Sequence, residues 1–209
     1  MVAGVGIHVE IQEPVPFEAP RAAGLALRLL GPLSLSRTAL PVALPPSRKV
    51  RALLAYLAMA ARPLTRSHLC ELLWDLPSDP RGELRWCLSK LRAVMDEPDR
   101  ARVVAQGDTV ALDLADSDVD ALEVVHALQR GIAALPADRL QALASRFNGD
   151  VFLEGLDLPR SPAFTGWLVA ERRRMRASHA AVLEHWVQAL PVGSDAALLA
   201  LERWLAIAP

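Results

Sequence analysis

The chain has 209 residues, 52% hydrophobic and 22% charged, with 16 prolines and a formal charge of −1. A chain this apolar can offset its ordering entropy by burial, which excludes intrinsic disorder and predicts one large or two small globular domains. No uncharged apolar run reaches about 18 residues, so no membrane span is expected, and a near-zero total charge argues at first sight against nucleic acid.

Residues 1–24 contain Pro14, Pro16 and Pro20 and no sustained period, which predicts a flexible arm. Residues 1–10 show no basic segment ahead of an apolar stretch, so no secretory signal is read and a cytoplasmic location is expected. Residues 25–35 and 40–44 read as short strands, interrupted at Gly31-Pro32 and closed by Pro45-Pro46. Leu53, Leu54, Leu57 and Ala58 then recur at helical spacing, with Ser47 as N-cap and Arg62-Pro63 as the stop. Thr65 caps a short second helix carrying Leu69, Leu72 and Leu73, which ends by Pro77. Asp79-Pro80 starts a third helix over 80–95, because proline suits the first helical position and drives its predecessor out of the helical region. Residues 102–105 and 109–114 flank Gln106-Gly107-Asp108 as a hairpin.

Beyond Asp116 the pattern is helix alone, over 119–130, 137–147, 161–190 and 194–207. An α+β domain at 25–115 followed by an all-α domain at 117–209 is therefore expected. The last segment looks like half of a helical hairpin, and an array of such hairpins predicts that the chain continues past 209. Cys70 and Cys87 fall inside helical patterns and read as buried small hydrophobes in a reducing compartment.

At about 100° per residue, Leu84, Cys87, Leu88, Leu91 and Met95 share one arc of the third helix. Arg81, Arg85, Ser89 and Arg92 fall on a flank beginning at its edge, and Trp86 and Lys90 point nearly opposite. A charge run on a helix is usually a solvated face, but two features favour a binding surface. An exposed indole calls for a cover. Residues 47–95 also hold nine basic residues (Arg48, Lys49, Arg51, Arg62, Arg66, Arg81, Arg85, Lys90, Arg92) against Glu71, Asp75, Asp79 and Glu83, leaving +5. Residues 96–123 carry nine acids against Arg100 and Arg102, leaving −7. The neutral total thus hides two opposed segments. A helix fits the major groove, where arginine bonds guanine, lysine or serine holds phosphate, and an indole packs on sugar or a thymine methyl.

The run SRKVRALLAYLAMAARPLTRSHLCELLW followed by DPRGELRWCLSKLR resembles the OmpR-type winged helix of the Streptomyces antibiotic regulatory protein family, with LR-x-x-LSKLR as its recognition helix. The downstream FNGDVFLEGLDLP, with Trp167 and Glu171-Arg172, resembles the tetratricopeptide-like bacterial transcriptional activator domain that accompanies it. The resemblance implies a winged helix-turn-helix domain that binds promoter DNA, often at direct repeats and as a pair of copies, and a helical domain that contacts a neighbouring subunit or RNA polymerase. It places Arg85, Ser89, Lys90 and Arg92 in or beside the major groove and makes the hairpin at Gly107 the wing. Arg81 and Trp86 join them from the helix face, and Arg48 and Lys49 are expected on phosphates. Asp108 at the wing tip would repel phosphate, leaving Arg102 and Gln106 as the wing contacts.

Other chemistry finds no support. The five histidines lack metal-ligand spacing, and Gly4 and Gly6 lack the third glycine of a dinucleotide loop. No phosphate-loop or nucleophile-elbow motif is present, so neither a cofactor nor catalysis is expected. Arg172, Arg173, Arg174 and Arg176 spread around their helix and read as solvated or ion-paired; Trp167, Trp186 and Trp204 read as packing between helices. The alternative to a regulator is an interaction adaptor whose winged helix no longer reads DNA.

Overall fold

The computed structural model describes residues 24–75, 79–147 and 151–207. All of the predicted arm but Gly24 lies outside them, as does Pro77. Strands β1 (Leu25–Arg28), β2 (Ser34–Arg37) and β3 (Leu40–Val42) form an antiparallel meander, with Leu25, Leu27 and Leu35 turned into the core. The β2–β3 turn places Thr38 and Ala39 at φ 52° and 65°, the left-handed pair that suits the twist of a two-residue hairpin loop.

Three helices follow, each started by a side chain that satisfies a free backbone N–H. Ser47 Oγ accepts from Val50 N ahead of α1 (Arg48–Met59), and Thr65 Oγ1 from His68 N ahead of α2 (Arg66–Leu73). Asp79 Oδ1 accepts from Gly82 N at 2.8 Å ahead of α3 (Pro80–Met95). A Cβ at Gly82 would collide with the capping carboxylate and displace it. Both α1 and α2 pack on α3, through Leu53, Leu54, Leu69 and Leu73 on one side and Leu84, Leu88 and Leu91 on the other. Each fully buried leucine contributes roughly 1.5–3 kcal/mol.

Two strands escape the sequence reading because two residues carry no period. β4 (Leu64–Thr65) sits where only a cap was expected and pairs with β6 (Thr109–Leu112), the return strand of the hairpin begun by β5 (Val103–Gln106). Gly107 takes φ 57° in the turn. β7 (Asp118–Val119) lies parallel to β1, at the edge of the first sheet.

The helical part comprises α4 (Asp120–Arg130), α5 (Ala137–Ala144), the long α6 (Pro162–Ala189) and α7 (Asp195–Ile207). The boundary expected at residues 115–117 is crossed by several bonds. Asp120, fully buried at the start of α4, accepts from Leu29 N (2.8 Å), Leu30 N (3.1 Å) and its neighbour Ala121 N (2.7 Å). Leu153 N donates to Leu29 O at 2.9 Å, and Ser161 Oγ to Leu73 O at 2.7 Å. Tyr56 of α1 stacks edge-on against Trp167 of α6, with ring centroids 4.8 Å apart. Trp186 is buried and Trp204 partly so, both against the common core.

Candidate nucleic-acid interface

With Leu84, Cys87, Leu88, Leu91 and Met95 turned inward, α3 leaves Arg81, Arg85, Trp86, Ser89 and Lys90 exposed and Arg92 half-buried. Trp86 is 49% exposed, and the Lys90 ammonium stands 5.7 Å from its ring centroid. A surface cation–π contact of this kind is worth about 0.5–1 kcal/mol, enough to bias the lysine over the ring and leave its charge facing solvent.

Arg81, Arg85 and Arg92 line a cleft of about 490 Å³ floored by Leu84 and Leu88, and Arg66, first residue of α2, closes its far wall. None of the four guanidinium groups has a carboxylate partner among the described residues, in contrast to Arg28, Arg100, Arg102, Arg146 and Arg172. Four such cations around one cleft attract a polyanion, and arginine's fork suits phosphate and base edges. Arg66 belongs to the basic block of the sequence but not to the surface predicted from it. Its signal lay in the capping residue Thr65, which fixes Arg66 as the first residue of the helix beside α3.

The hairpin tip is tied to the same corner. Arg66 N donates to Asp108 O at 2.8 Å, and Thr65 pairs with Thr109 across β4 and β6. Gln106 and Asp108 are exposed there. Burial raises the Cys70 thiol above its ordinary value, while Arg81 and Arg66 pull it back.

Arg48 is exposed at the first turn of α1. Lys49 is half-buried with its ammonium 4.9 Å over the ring of buried Trp74.

Arg102 corrects the sequence reading. It is 1% exposed and cannot meet DNA. Its Nε donates to Glu97 at 2.7 Å, and one terminal nitrogen donates to Asp116 at 2.8 Å and to Ser117 Oγ at 3.1 Å. Asp96 Oδ1 accepts from the Arg102 backbone N–H and from Val103 N, each at 2.9 Å. Arg100 pairs with Asp113 at 2.6 Å. A guanidinium in an acidic segment satisfies its five donors at home before it reaches outward. The Arg102 bond holds Asp116 down at about 2, and the Arg100 bond holds Asp113 below the usual carboxylate range.

Depressed carboxylates stabilise the fold above their unfolded value near 4 and lose that contribution as pH falls through the folded one. Stability is therefore expected to decline between about pH 4 and pH 2. Arg102→Met should shrink the Asp116 part of that acid limb, leaving the part set by Arg100 and Asp113, and cost about 2 kcal/mol at neutral pH, less than a fully buried pair because Glu97 and Asp116 can regain water. Thermal melts of both proteins across pH 2–7 check both statements.

On α6, Arg172 pairs with Asp157 and donates to the Phe152 and Leu153 carbonyls, and Arg174 pairs with Glu171. Arg173 and Arg176 are exposed. Among the described residues no group of acids, cysteines and histidines is arranged to hold a metal, and no helix is long and apolar enough to cross a membrane.

The fold and site thus define a mixed α/β and helical protein presenting a basic, tryptophan-bearing helix. No protein-family model and no curated protein matches the chain. Among solved structures it is similar to that of Mycobacterium tuberculosis EmbR in complex with low affinity phosphopeptide, at TM-score 0.58 and 22% sequence identity, over 80% of this chain and 48% of that one. The likeness shows a shared fold, and the chain spans about half the length of that neighbour.

Proposed function

We propose that the protein is a DNA-binding transcription regulator. Its winged helix-turn-helix part, at about 25–115, docks α3 in the major groove, with the β5–β6 hairpin as wing. Its tetratricopeptide-like part, at about 117–209, contacts a neighbouring subunit or RNA polymerase. The observation that carries this reading is Arg66, Arg81, Arg85 and Arg92, which have no carboxylate partner among the described residues, together with exposed Trp86 and Lys90, all on one helix and its immediate neighbour. The resemblance of LR-x-x-LSKLR to a recognition helix and the EmbR-like fold support it.

On this reading Arg85 and Ser89 face base edges, and Arg66, Arg81, Arg92 and Arg48 neutralise phosphates. Lys90, held over Trp86, adds charge next to an indole that packs on sugar or a thymine methyl. No cofactor takes part. Selection of bound fragments from sheared genomic DNA is expected to return a recurrent motif, with affinity falling steeply as salt rises. Weak binding indifferent to sequence would point instead to the adaptor.

A further inference from the structure

Ser161 stands at the start of α6 without capping it. Ser47, Thr65 and Asp79 each accept a backbone N–H of the helix they begin, whereas the Ser161 side chain makes no such bond. Its hydroxyl donates instead to Leu73 O at 2.7 Å, the last carbonyl of α2, from 88 residues away. Both residues are buried. The closing carbonyls of a helix have no partner of their own, and a buried one is costly unless something meets it. The start of α6 thus forgoes a side-chain cap and closes the end of α2.

The opposite end of α2 is held as well. Arg66 N donates to Asp108 O at 2.8 Å, and Tyr56 OH and His68 Nε2 share a hydrogen bond at 2.7 Å. The Tyr56 ring in turn meets Trp167 of α6 edge-on. With only 8 residues, α2 is about 12 Å long, so a bond at its last carbonyl constrains the whole helix, Arg66 included. Arg66 lines the cleft from α2, whereas Arg81, Arg85 and Arg92 line it from α3. The spacing between these two sets of guanidinium groups follows the seating of α2.

Resting on the DNA-binding reading of α3, we infer that Ser161 is a positioning residue for the DNA interface: from the helical part of the chain it fixes α2, and with it Arg66, against α3. The phosphate contact of Arg66 then depends on a hydroxyl that touches no DNA. The helical part is a support of the reading surface, and the two parts cannot be parted at residues 115–117 without loosening the cleft.

The test uses the full chain, the variant S161A and the control T165A. Thr165 Oγ1 donates to Leu158 O at 3.2 Å, so T165A removes a hydroxyl bond at the same helix start without releasing Leu73 O. Two readouts are taken where every variant is folded: hydrogen exchange of the α2 amides without DNA, and affinity for a mixed-sequence duplex across a salt series. S161A is expected to speed α2 exchange about fivefold, as loss of one buried hydrogen bond does. It should also weaken DNA binding about fivefold and lower the slope of log affinity against log salt by about one, as loss of one phosphate contact does. T165A should match the unaltered chain in both, and in an R66A background S161A should cost no further affinity. Unchanged α2 exchange in S161A would overturn the inference. So would faster exchange with unchanged affinity and slope, or equal losses in T165A, since either reduces the bond to one that only holds the fold together. Faster α2 exchange in S161A with no DNA binding by any of the proteins would keep the hold of Ser161 on α2 and overturn the DNA reading of α3.

Discussion

Arg85→Ala is expected to weaken binding of the selected DNA by about 1–3 kcal/mol, roughly 10- to 100-fold, and to relax preference at one base pair. Arg85 lies on the exposed flank of α3, one turn from Ser89, and has no carboxylate partner among the described residues to hold it back. Arg66→Ala is expected to behave differently. Removing a phosphate contact weakens all sequences alike and lowers the slope of log affinity against log salt by about one. Salt-controlled titrations of both variants against the selected motif and a scrambled duplex separate the two roles. An Arg85→Ala protein with unchanged affinity and sequence preference would remove this residue from the interface.

Asp120→Ala is expected to cost about 3–5 kcal/mol of stability. The carboxylate is fully buried and accepts the N–H groups of Leu29 and Leu30, just past the end of β1, so its loss strands two buried donors at roughly 1–3 kcal/mol each and leaves a cavity. Burial pushes this carboxyl above the usual range against the pull of its three backbone donors and nearby Arg28. Its titration therefore runs opposite in sign to that of Asp116, favouring the fold slightly as pH drops through its raised value. Asp120→Asn keeps one acceptor oxygen and should lose less. Chemical denaturation of the two variants distinguishes a lost acceptor from a lost charge.

Much of this architecture was legible in the chain. Ser47, Thr65 and Asp79 mark the starts of α1, α2 and α3 because small polar side chains at those positions satisfy free N–H groups, and each makes that bond. The inward arc of α3 follows from the spacing of Leu84, Leu88 and Leu91. What escaped was what depends on distant residues. β4 and β7 are too short for any period, and only their pairing with β6 and β1 makes them strands. Arg102 reads as a cation for DNA because its partners Glu97 and Asp116 stand 5 and 14 residues away and meet it only when the hairpin closes. Asp120 read as one more acid at a junction, although its acceptors serve donors some 90 residues earlier. The basic flank of α3 is visible as a pattern, whereas Arg66 joins it only through the packing of α2 on α3.

Cys87 turns the seating of α3 into a rate that can be measured. Its thiol is 1% exposed and pushed up to about 11 by burial, so it is neither reachable nor ionised while the helix is docked. Reaction with a thiol reagent must wait for α3 to lift from α1 and α2. Labelling kinetics thus time the detachment of α3 without any engineered probe, and a duplex that grips α3 would slow that clock in proportion to its hold.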